Sequence, residues 1–582
     1  MRCREPKEVS GMRRLFDEHE KRAITLLDGS WDFCTDPMDE GEARGYATGL
    51  PTSTRVSVPG VWNTELGLLE YEGVAWYEKR FFTEGGTLRF VFEGVMTEAK
   101  VYLDGAHIGS HYGGFCQFDM IVRNVCPGHH LLIVRVDNRF DAHSIPQKRV
   151  DWYHYGGITR SVTVERLQGI CVLYHRLDYT LSADLLTAKC CSTVELYNAG
   201  VRKNTTRVQG FLDKTAVFTE DVTLKAGESR TLKLQYTVSD VQCWDVSSPR
   251  LYGLRVTTDT DDLIDRTGFR LVEAREGRIL LNGRPIELRG VNRHEDHPDW
   301  GMAFPQGLMK RDLDIILDMG CNAIRGSHYP NSRIFLDMLD EAGVLFWSEI
   351  PIWGCGFAPE TLADPVVIAR GLQMHREMVH HYCNHPAIVI WGMHNEIRAD
   401  LPESVEMSKQ YYEFLKAEGG NRIVTYAANH PMEDICLAYC DMISINKYSG
   451  WYGKSLDYRA EWQQFLIDFA ARRAELGMAD KPVVMGEFGA AGIYGHHTFD
   501  CVKGTEEYQA ELIGSCLKQF HADPMMQGSF IWQFCDIRTC SEMGLDRARG
   551  FNNKGIVNEY RKPKEAYRIV KSLYHRFVEE EK

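Results

Sequence analysis

With 582 residues, the chain is too long for a single hydrophobic core, and its 44% hydrophobic and 25% charged residues are typical of a soluble globular protein with several domains. Its formal net charge of −14 argues against a nucleic-acid or membrane-surface partner. No apolar run is long enough to span a bilayer, and residues 1–31 lack the apolar core of a signal peptide. We therefore expect a cytoplasmic protein.

The first part of the chain, residues 1–168, has the pattern of an all-β sandwich. Short apolar runs at 88–92, 99–103 and 131–136 recur without a helical period, and the turn Asp104-Gly105 follows the second run. Regularly spaced strands of this kind favour two packed antiparallel sheets.

The second part, residues 169–273, continues with strands. Alternating runs at 192–197 and 230–234 are again free of helical spacing. A length of about a hundred residues is typical of an immunoglobulin-like sandwich.

The third part, residues 274–582, alternates apolar strands with helices. The eight strand candidates are 286–289, 323–325, 344–347, 387–391, 423–426, 442–445, 483–485 and 529–532. Apolar residues recur at helical spacing in 308–319 and again in 367–378. Eight strands with intervening helices over about three hundred residues predict a (β/α)8 TIM barrel, and so a multidomain protein that combines all-β and α/β parts.

Two of the strand candidates lead to a glutamate. Glu396 follows the fourth candidate and Glu487 follows the seventh. Catalytic residues of a barrel lie where its strands end, and a carboxylate there is costly unless it is used or paired. The pair therefore indicates a retaining glycoside hydrolase, with one acid and one nucleophile about 5 Å apart. Considered singly, Glu396 could cap the next helix and Glu487 could form a structural ion pair.

Other strand ends carry side chains suited to hydrogen bonding with a sugar. These candidate residues are His294, His328, Asn395, Asn446, Tyr448, Tyr452 and Trp532. Trp532 could stack on a sugar face or belong to the core. A metal site at His294, Glu295 and His297 is disfavoured, because adjacent residues of a strand point to opposite faces.

The 17 cysteines are scattered and include no Cys-x-x-Cys pair. We interpret them as buried thiols in a reducing compartment. The sequence predicts no metal and no organic cofactor.

The segment RGFNNKG at 549–555 follows the eighth strand candidate. By itself it is typical of a polar turn. Its position predicts that Arg549 and Lys554 bring positive charge to the catalytic face of the barrel. A lysine ammonium and an asparagine amide are suitable donors to the carboxylate of an acidic sugar.

Several motifs in chain order resemble glycoside hydrolase family 2. YEGVAWY at 71–77, VYLDG at 101–105 and HYGGF at 111–115 resemble the jelly-roll sugar-binding domain of that family. SPRLY at 248–252 resembles the end of its immunoglobulin-like domain. LNGRPI at 281–286 and RGVNRHE at 289–295 resemble the start of its catalytic barrel.

Within the family, the chain is most similar to β-glucuronidases. The resemblance implies that Glu396 is the acid/base, that Glu487 is the nucleophile, and that Asn552 and Lys554 match the Asn-x-Lys motif for the glucuronate carboxylate. It implies that Asp151, in DWYHYGG at 151–157, reaches into the pocket from the jelly-roll domain. It also implies a homo-oligomer, a dimer or tetramer, and a small-molecule or oligosaccharide β-glucuronide as substrate.

The chain departs from that pattern at two places. The stretch 350–365 is short, which predicts an open aglycone side that admits larger conjugates. Gly392-Met393-His394 before Asn395 is not the commonest version of its motif, and 292–295 is also similar to family β-galactosidases. β-Galacturonidase, β-galactosidase and a non-catalytic carbohydrate-binding protein therefore stay open as alternatives.

Overall fold

The computed structural model describes residues 13–354, 357–453, 457–544 and 546–580. Its first part consists of antiparallel sheets. A four-stranded sheet has the order Ala23–Leu26, Val162–Leu167, Gly86–Phe92 and Phe118–Val125. A six-stranded sheet has the order Thr54–Val58, Gly29–Asp36, Val74–Thr83, Gly128–Asp137, Glu98–Leu103 and Ala106–Tyr112. Val95–Met96 and Gly157–Ile158 form a further short pair.

The core of this part comes from the strand alternation. Leu132, Val134 and Val136 alternate along one strand and pack in the same buried cluster as Phe90 and Phe92 of the opposite sheet. Since successive side chains point to opposite faces, each sheet presents one apolar face to the other.

The second part contains two more antiparallel sheets. One has the order Ile170–Leu181, Thr187–Asn198 and Ser229–Ser239, and the other has the order Thr215–Leu224, Asn204–Leu212, Tyr252–Thr257 and Asp262–Thr267. A small sheet of Val272–Arg275, Arg278–Leu281 and Arg284–Pro285 leads into the third part.

The third part is a closed barrel of eight parallel strands. In chain order they are Leu288–Arg293, Ala323–Gly326, Leu345–Glu349, Ile388–Asn395, Ile423–Ala428, Ile443–Asn446, Val483–Phe488 and Met526–Ile531. Every residue of these strands is buried, as expected when helices cover the outer face of a parallel sheet. The predicted fold class is confirmed.

The α-helices of the described residues all belong to this third part. They are Gln306–Asp318, Arg333–Ala342, Pro359–Leu362, Pro365–Tyr382, Val405–Glu418, Tyr458–Glu475, Glu506–Ala522, Ser541–Gly544 and Glu565–Glu580. None of them combines the length and apolar character needed to cross a bilayer. A last pair of short strands, Ile537–Arg538 and Phe551–Asn552, lies beyond the eighth barrel strand.

Buried arginines join the three parts. Arg14 forms an ion pair with Asp337 of the barrel at 2.8 Å. Arg270 is 2% exposed and donates to the backbone carbonyls of Pro386 and Ile388. At the other end of the barrel, the hydroxyl of Tyr155 donates to Asp296 at 2.6 Å. This last contact holds a loop of the first part over the carboxyl ends of the barrel strands.

Candidate active site

A cavity of about 610 Å³ opens where the barrel strands end. Its volume is suited to a ligand larger than one small group, because ligand pockets in proteins span about 300–1,000 Å³. Seven of the residues predicted from the sequence line it, namely Asp151, Glu396, Asn446, Tyr448, Tyr452, Glu487 and Trp532. Trp353, Arg149 and Arg547 contribute to the same wall.

Glu487 lies in the seventh strand and is 3% exposed. Arg325, from the second strand, donates from Nη1 to Glu487 Oε1 at 2.8 Å, and the hydroxyl of Tyr448 donates to Oε2 at 2.6 Å. Both carboxylate oxygens are therefore held in fixed directions. Charge-assisted contacts of this kind are roughly twice as strong as neutral hydrogen bonds.

Burial and the neighbouring charge of Glu396 raise the pKa of Glu487 to about 8, although Arg325 and Tyr448 act in the opposite direction. Two carboxyl groups that repel one another share a proton and titrate as a pair. At neutral pH this pair therefore holds one proton.

Glu396 immediately follows the fourth strand, in the left-handed backbone region with φ of 50°. A residue other than glycine is uncommon in this region and is held there by its surroundings. Its N–H donates to the carbonyl of Ala427 at 2.9 Å, and Asn446 Nδ2 donates to its Oε1 at 2.9 Å. The next α-helix begins only at Val405, so Glu396 does not cap it.

Asn395 lies behind the two carboxyl groups and is fully buried. Its Oδ1 accepts from Arg325 at 2.8 Å and from Asn446 at 3.1 Å. Its Nδ2 is buried without a hydrogen-bond partner in the described structure. This amide is therefore a buried donor that no described residue uses, and Asn395 lies behind the cavity wall rather than in it.

His294 and His328 form a ring cluster with Trp532. His328 stacks on Trp532 at 5.1 Å, and His294 packs edge-on against the same indole at 5.5 Å. Both imidazoles are 1% exposed, and neither Nε2 has a hydrogen-bond partner among the described residues. Burial lowers the pKa of each ring well below its usual value, so both are neutral at pH 7. Trp152 of the first part packs against both rings.

Lys554 is 1% exposed and lies beneath two tyrosines of the cavity wall. Its ammonium donates to the hydroxyl of Tyr452 at 2.9 Å. It also lies 5.0–5.7 Å from the ring centroids of Tyr448, Trp451 and Tyr452. No carboxylate of the described residues forms a salt bridge with it. A buried cation normally has an anionic partner, so this site is suited to an anion.

Asp151 connects the first part of the chain to the segment after the eighth strand. Its carboxylate forms an ion pair with Arg547 at 2.6 Å and accepts from Asn552 Nδ2 at 2.9 Å. Asn552 Oδ1 accepts from the backbone N–H of Lys554. One amide hydrogen of Asn552 is therefore used within the protein, and the side chain lies behind Asp151, which lines the cavity.

Arg549 was predicted to bring positive charge to the catalytic face, but its side chain is engaged elsewhere. Its guanidinium forms an ion pair with Glu559 at 2.8 Å and donates to Asn553, and it does not line the cavity. Its backbone lies in the left-handed region with φ of 64°. Arg547, two residues earlier, takes a place in the cavity wall instead.

Four residues that contact the predicted site were not predicted from the sequence: Arg325 contacts Glu487, Glu349 contacts His328, Arg547 contacts Asp151, and Asn292 accepts from Arg325 at 3.2 Å. Arg325 ends a strand that was predicted, so the argument from strand ends that found Glu487 also applied to it. Glu349 lies two residues beyond the predicted end of the third strand. The predicted short stretch 350–365 contains the helix Pro359–Leu362, and its residues 355 and 356 lie outside the described residues.

Metal-ligand groups in the described structure lie away from this cavity. Asp337, Asp340 and His385 come close enough to one another to hold an ion, as do His19, Asp261 and Asp262. Glu295, which the sequence placed in a disfavoured metal site, instead contacts Arg160 at 3.2 Å. In the described part of the chain the cysteines are free thiols.

The chain was compared with known proteins. The model of the family "Glycosyl hydrolases family 2, TIM barrel domain" matches residues 272–578. A β-galacturonidase from Eisenbergiella tayi, solved with bound galacturonate, is 34% identical with a TM-score of 0.89, over 97% of this chain and 99% of that one. The β-glucuronidase of Ruminococcus gnavus is 26% identical with a TM-score of 0.85, over 97% of this chain and 100% of that one. A β-glucuronidase of Paenibacillus borealis is 26% identical over 95% of this chain and 97% of that protein.

The barrel brings two interacting carboxyl groups and a tryptophan to one cavity, with two neutral imidazoles packed against that tryptophan. Such an arrangement is typical of an enzyme that hydrolyses glycosidic bonds. The match to the barrel covers more than half of the chain, and the similarity to solved structures extends over nearly all of it. The chain belongs to glycoside hydrolase family 2.

Proposed function

We propose that this enzyme is a retaining exo-β-glucuronidase, which releases glucuronate from β-D-glucuronides by double displacement. Glu487 attacks the anomeric carbon while Glu396 protonates the leaving oxygen, which gives a glycosyl-enzyme ester and a free aglycone. Glu396 then removes a proton from water, and the water attacks the same carbon and releases Glu487. The polar groups around the cavity, Asn395, His294 and His328 among them, bind the sugar hydroxyls.

The observation that carries the uronide specificity is the buried ammonium of Lys554. It has a phenol and three aromatic rings around it and no carboxylate partner in the described structure. A sugar carboxylate supplies the missing anion, whereas a neutral sugar leaves the ammonium unpaired. Arg547 is paired with Asp151, so the positive charge that meets the carboxylate despite the formal net charge of −14 is that of Lys554.

The β-galacturonidase named above favours a second candidate, the β-galacturonide, because it is 34% identical whereas the glucuronidases described are 26% identical. Galacturonide differs from glucuronide only in the direction of the C4 hydroxyl. Lys554 and Asn552 therefore bind the carboxylate of either sugar. The choice depends on the groups that contact C4, which include the Asp151–Arg547 pair if the C4 hydroxyl faces that wall.

The substitution Lys554→Met tests the carboxylate assignment. Methionine keeps an unbranched apolar side chain of similar length, and removes one charge-assisted contact of about 2–3 kcal/mol. We expect kcat/KM for p-nitrophenyl β-glucuronide to fall by about 30- to 150-fold. The value for p-nitrophenyl β-galactoside should change little.

Lys447→Met is the matched control. Lys447 also lines the cavity, but Glu461 lies 3.5 Å from its ammonium and already balances that charge. This variant should alter the uronide and the neutral galactoside to the same extent. An equal loss on both substrates in Lys554→Met would remove Lys554 from carboxylate recognition.

A further inference from the structure

We propose that Glu349 is a positioning residue that joins the nucleophile to the sugar-binding imidazole, by holding Arg325 against Glu487 and by fixing which nitrogen of His328 faces the substrate. Glu349 closes the third barrel strand and is fully buried. Its carboxylate contacts Arg325 and His328, and Arg325 in turn contacts Glu487, so it acts through these neighbours. The inference rests on the proposed role of Glu487 as the nucleophile.

The guanidinium of Arg325 is shared between two carboxylates. Its Nε and Nη2 donate to Glu349 at 3.0 and 2.8 Å, and its Nη1 donates to Glu487 at 2.8 Å. A two-point contact fixes the plane of a guanidinium. Glu349 therefore determines the direction from which Arg325 reaches the nucleophile.

The tautomer of His328 follows from the same contacts. Its Nδ1 lies 2.7 Å from Glu349 Oε1 and 3.3 Å from Arg325 Nη2. The two hydrogens of Nη2 are already donated to Glu349 and Asn395, so the proton between Nδ1 and the carboxylate belongs to the imidazole.

The Nε2 of a neutral His328 is consequently an acceptor. It is buried without a hydrogen-bond partner in the described structure and lies 3.9 Å from Glu487 Oε1. A sugar hydroxyl next to the anomeric carbon can donate to it. A carboxylate that orients a functional histidine in this way commonly sets both its ring position and its proton.

Glu349 also adds a negative charge close to the catalytic pair. The positive charge of Arg325 is shared between two carboxylates, so it stabilises ionised Glu349 as well as ionised Glu487. Replacing Glu349 with glutamine leaves more of that positive charge to Glu487 and removes one repulsive carboxylate. Protons are then lost from the catalytic pair at lower pH.

The experiment is the pH profile of kcat/KM for the aryl uronide that the enzyme hydrolyses best. In Glu349→Gln we expect the acidic limb and the alkaline limb of this profile to move to lower pH by about one unit each. Glu349→Asp keeps the charge but is shorter by one methylene, so the rate should fall by about 10- to 100-fold while the limbs stay in place. A merely structural carboxylate would change the melting temperature and leave both limbs unmoved.

Asp312→Asn is the matched control. Asp312 is also fully buried, and it holds Arg293 and Arg561 at about 3 Å, but none of the three lines the cavity. Its pH profile should equal that of the unmodified enzyme. A pH profile of Glu349→Gln whose two limbs do not move would overturn the inference. If Glu349→Gln does not fold, an unchanged rate in Glu349→Asp would overturn it. An unmodified enzyme that hydrolyses no aryl uronide would instead refute the proposed function.

Discussion

Replacing Glu487 with glutamine is expected to lower kcat by about 10⁴-fold or more, because an amide cannot form the glycosyl-enzyme ester. The carbonyl oxygen of glutamine can still accept from Arg325, and its amide N–H can donate to the hydroxyl oxygen of Tyr448, so the fold should be retained. The measurement is kcat on p-nitrophenyl β-glucuronide, with a thermal melt to verify folding. Residual activity within about tenfold of the unmodified enzyme would exclude Glu487 as the nucleophile.

Glu461→Gln provides the control for this substitution. Glu461 lines the same cavity and accepts from Ser449 at 2.6 Å, and no reaction step is assigned to it. It should lose far less activity than Glu487→Gln. Proton NMR of the first sugar anomer released by the unmodified enzyme adds a direct test, since double displacement gives the β-anomer and single displacement gives the α-anomer.

The second large effect is expected for Glu396→Gln, and it should depend on the leaving group. General acid catalysis contributes about 10²- to 10⁴-fold, so hydrolysis of a glucuronide with a poor alkyl leaving group should fall by that amount. A dinitrophenyl glucuronide needs little protonation. Its first step, measured as a burst of phenolate, should be nearly unaffected, whereas a uniform loss on both substrates would contradict the role of acid.

The same variant should change the pH dependence of kcat/KM. In the unmodified enzyme the pKa of Glu487, raised to about 8 by burial and by the charge of Glu396, means that the carboxyl pair loses a proton as pH rises through that value. Activity should therefore decline above about pH 8. In Glu396→Gln the alkaline limb should disappear, because glutamine has no proton to lose. Glu487, freed from the repulsion of Glu396, should ionise at lower pH.

Much of the barrel could be predicted because its strands are apolar and bounded by polar turns. The first strand was the least well placed, since the sequence favoured 286–289 and the structure has Leu288–Arg293. Pro285 instead pairs with Leu280 in a small antiparallel sheet. The true strand ends in polar residues, which become stable when buried only because partners such as Asp312 for Arg293 arrive from distant segments.

The candidate site could be predicted where a functional residue ends a single strand, as with Glu396, Glu487 and Asn446. Pairs that form between remote segments leave no such local pattern in the sequence. Asp151 and Arg547 are 396 positions apart, and their contact depends on how the first sandwich sits on the barrel. Arg549 is likewise held by an ion pair with Glu559 that the strand pattern does not predict, and Arg547 lines the cavity instead.

We propose above all that a sugar carboxylate binds at Lys554. The most direct test is kcat/KM of the unmodified enzyme on p-nitrophenyl β-glucuronide, β-galacturonide and β-galactoside at one pH. We expect the glucuronide to be hydrolysed at least about 30-fold faster than the galactoside, which corresponds to one charge-assisted contact. A preference for the galacturonide would keep the carboxylate role and change the sugar. A preference for the galactoside would contradict the account.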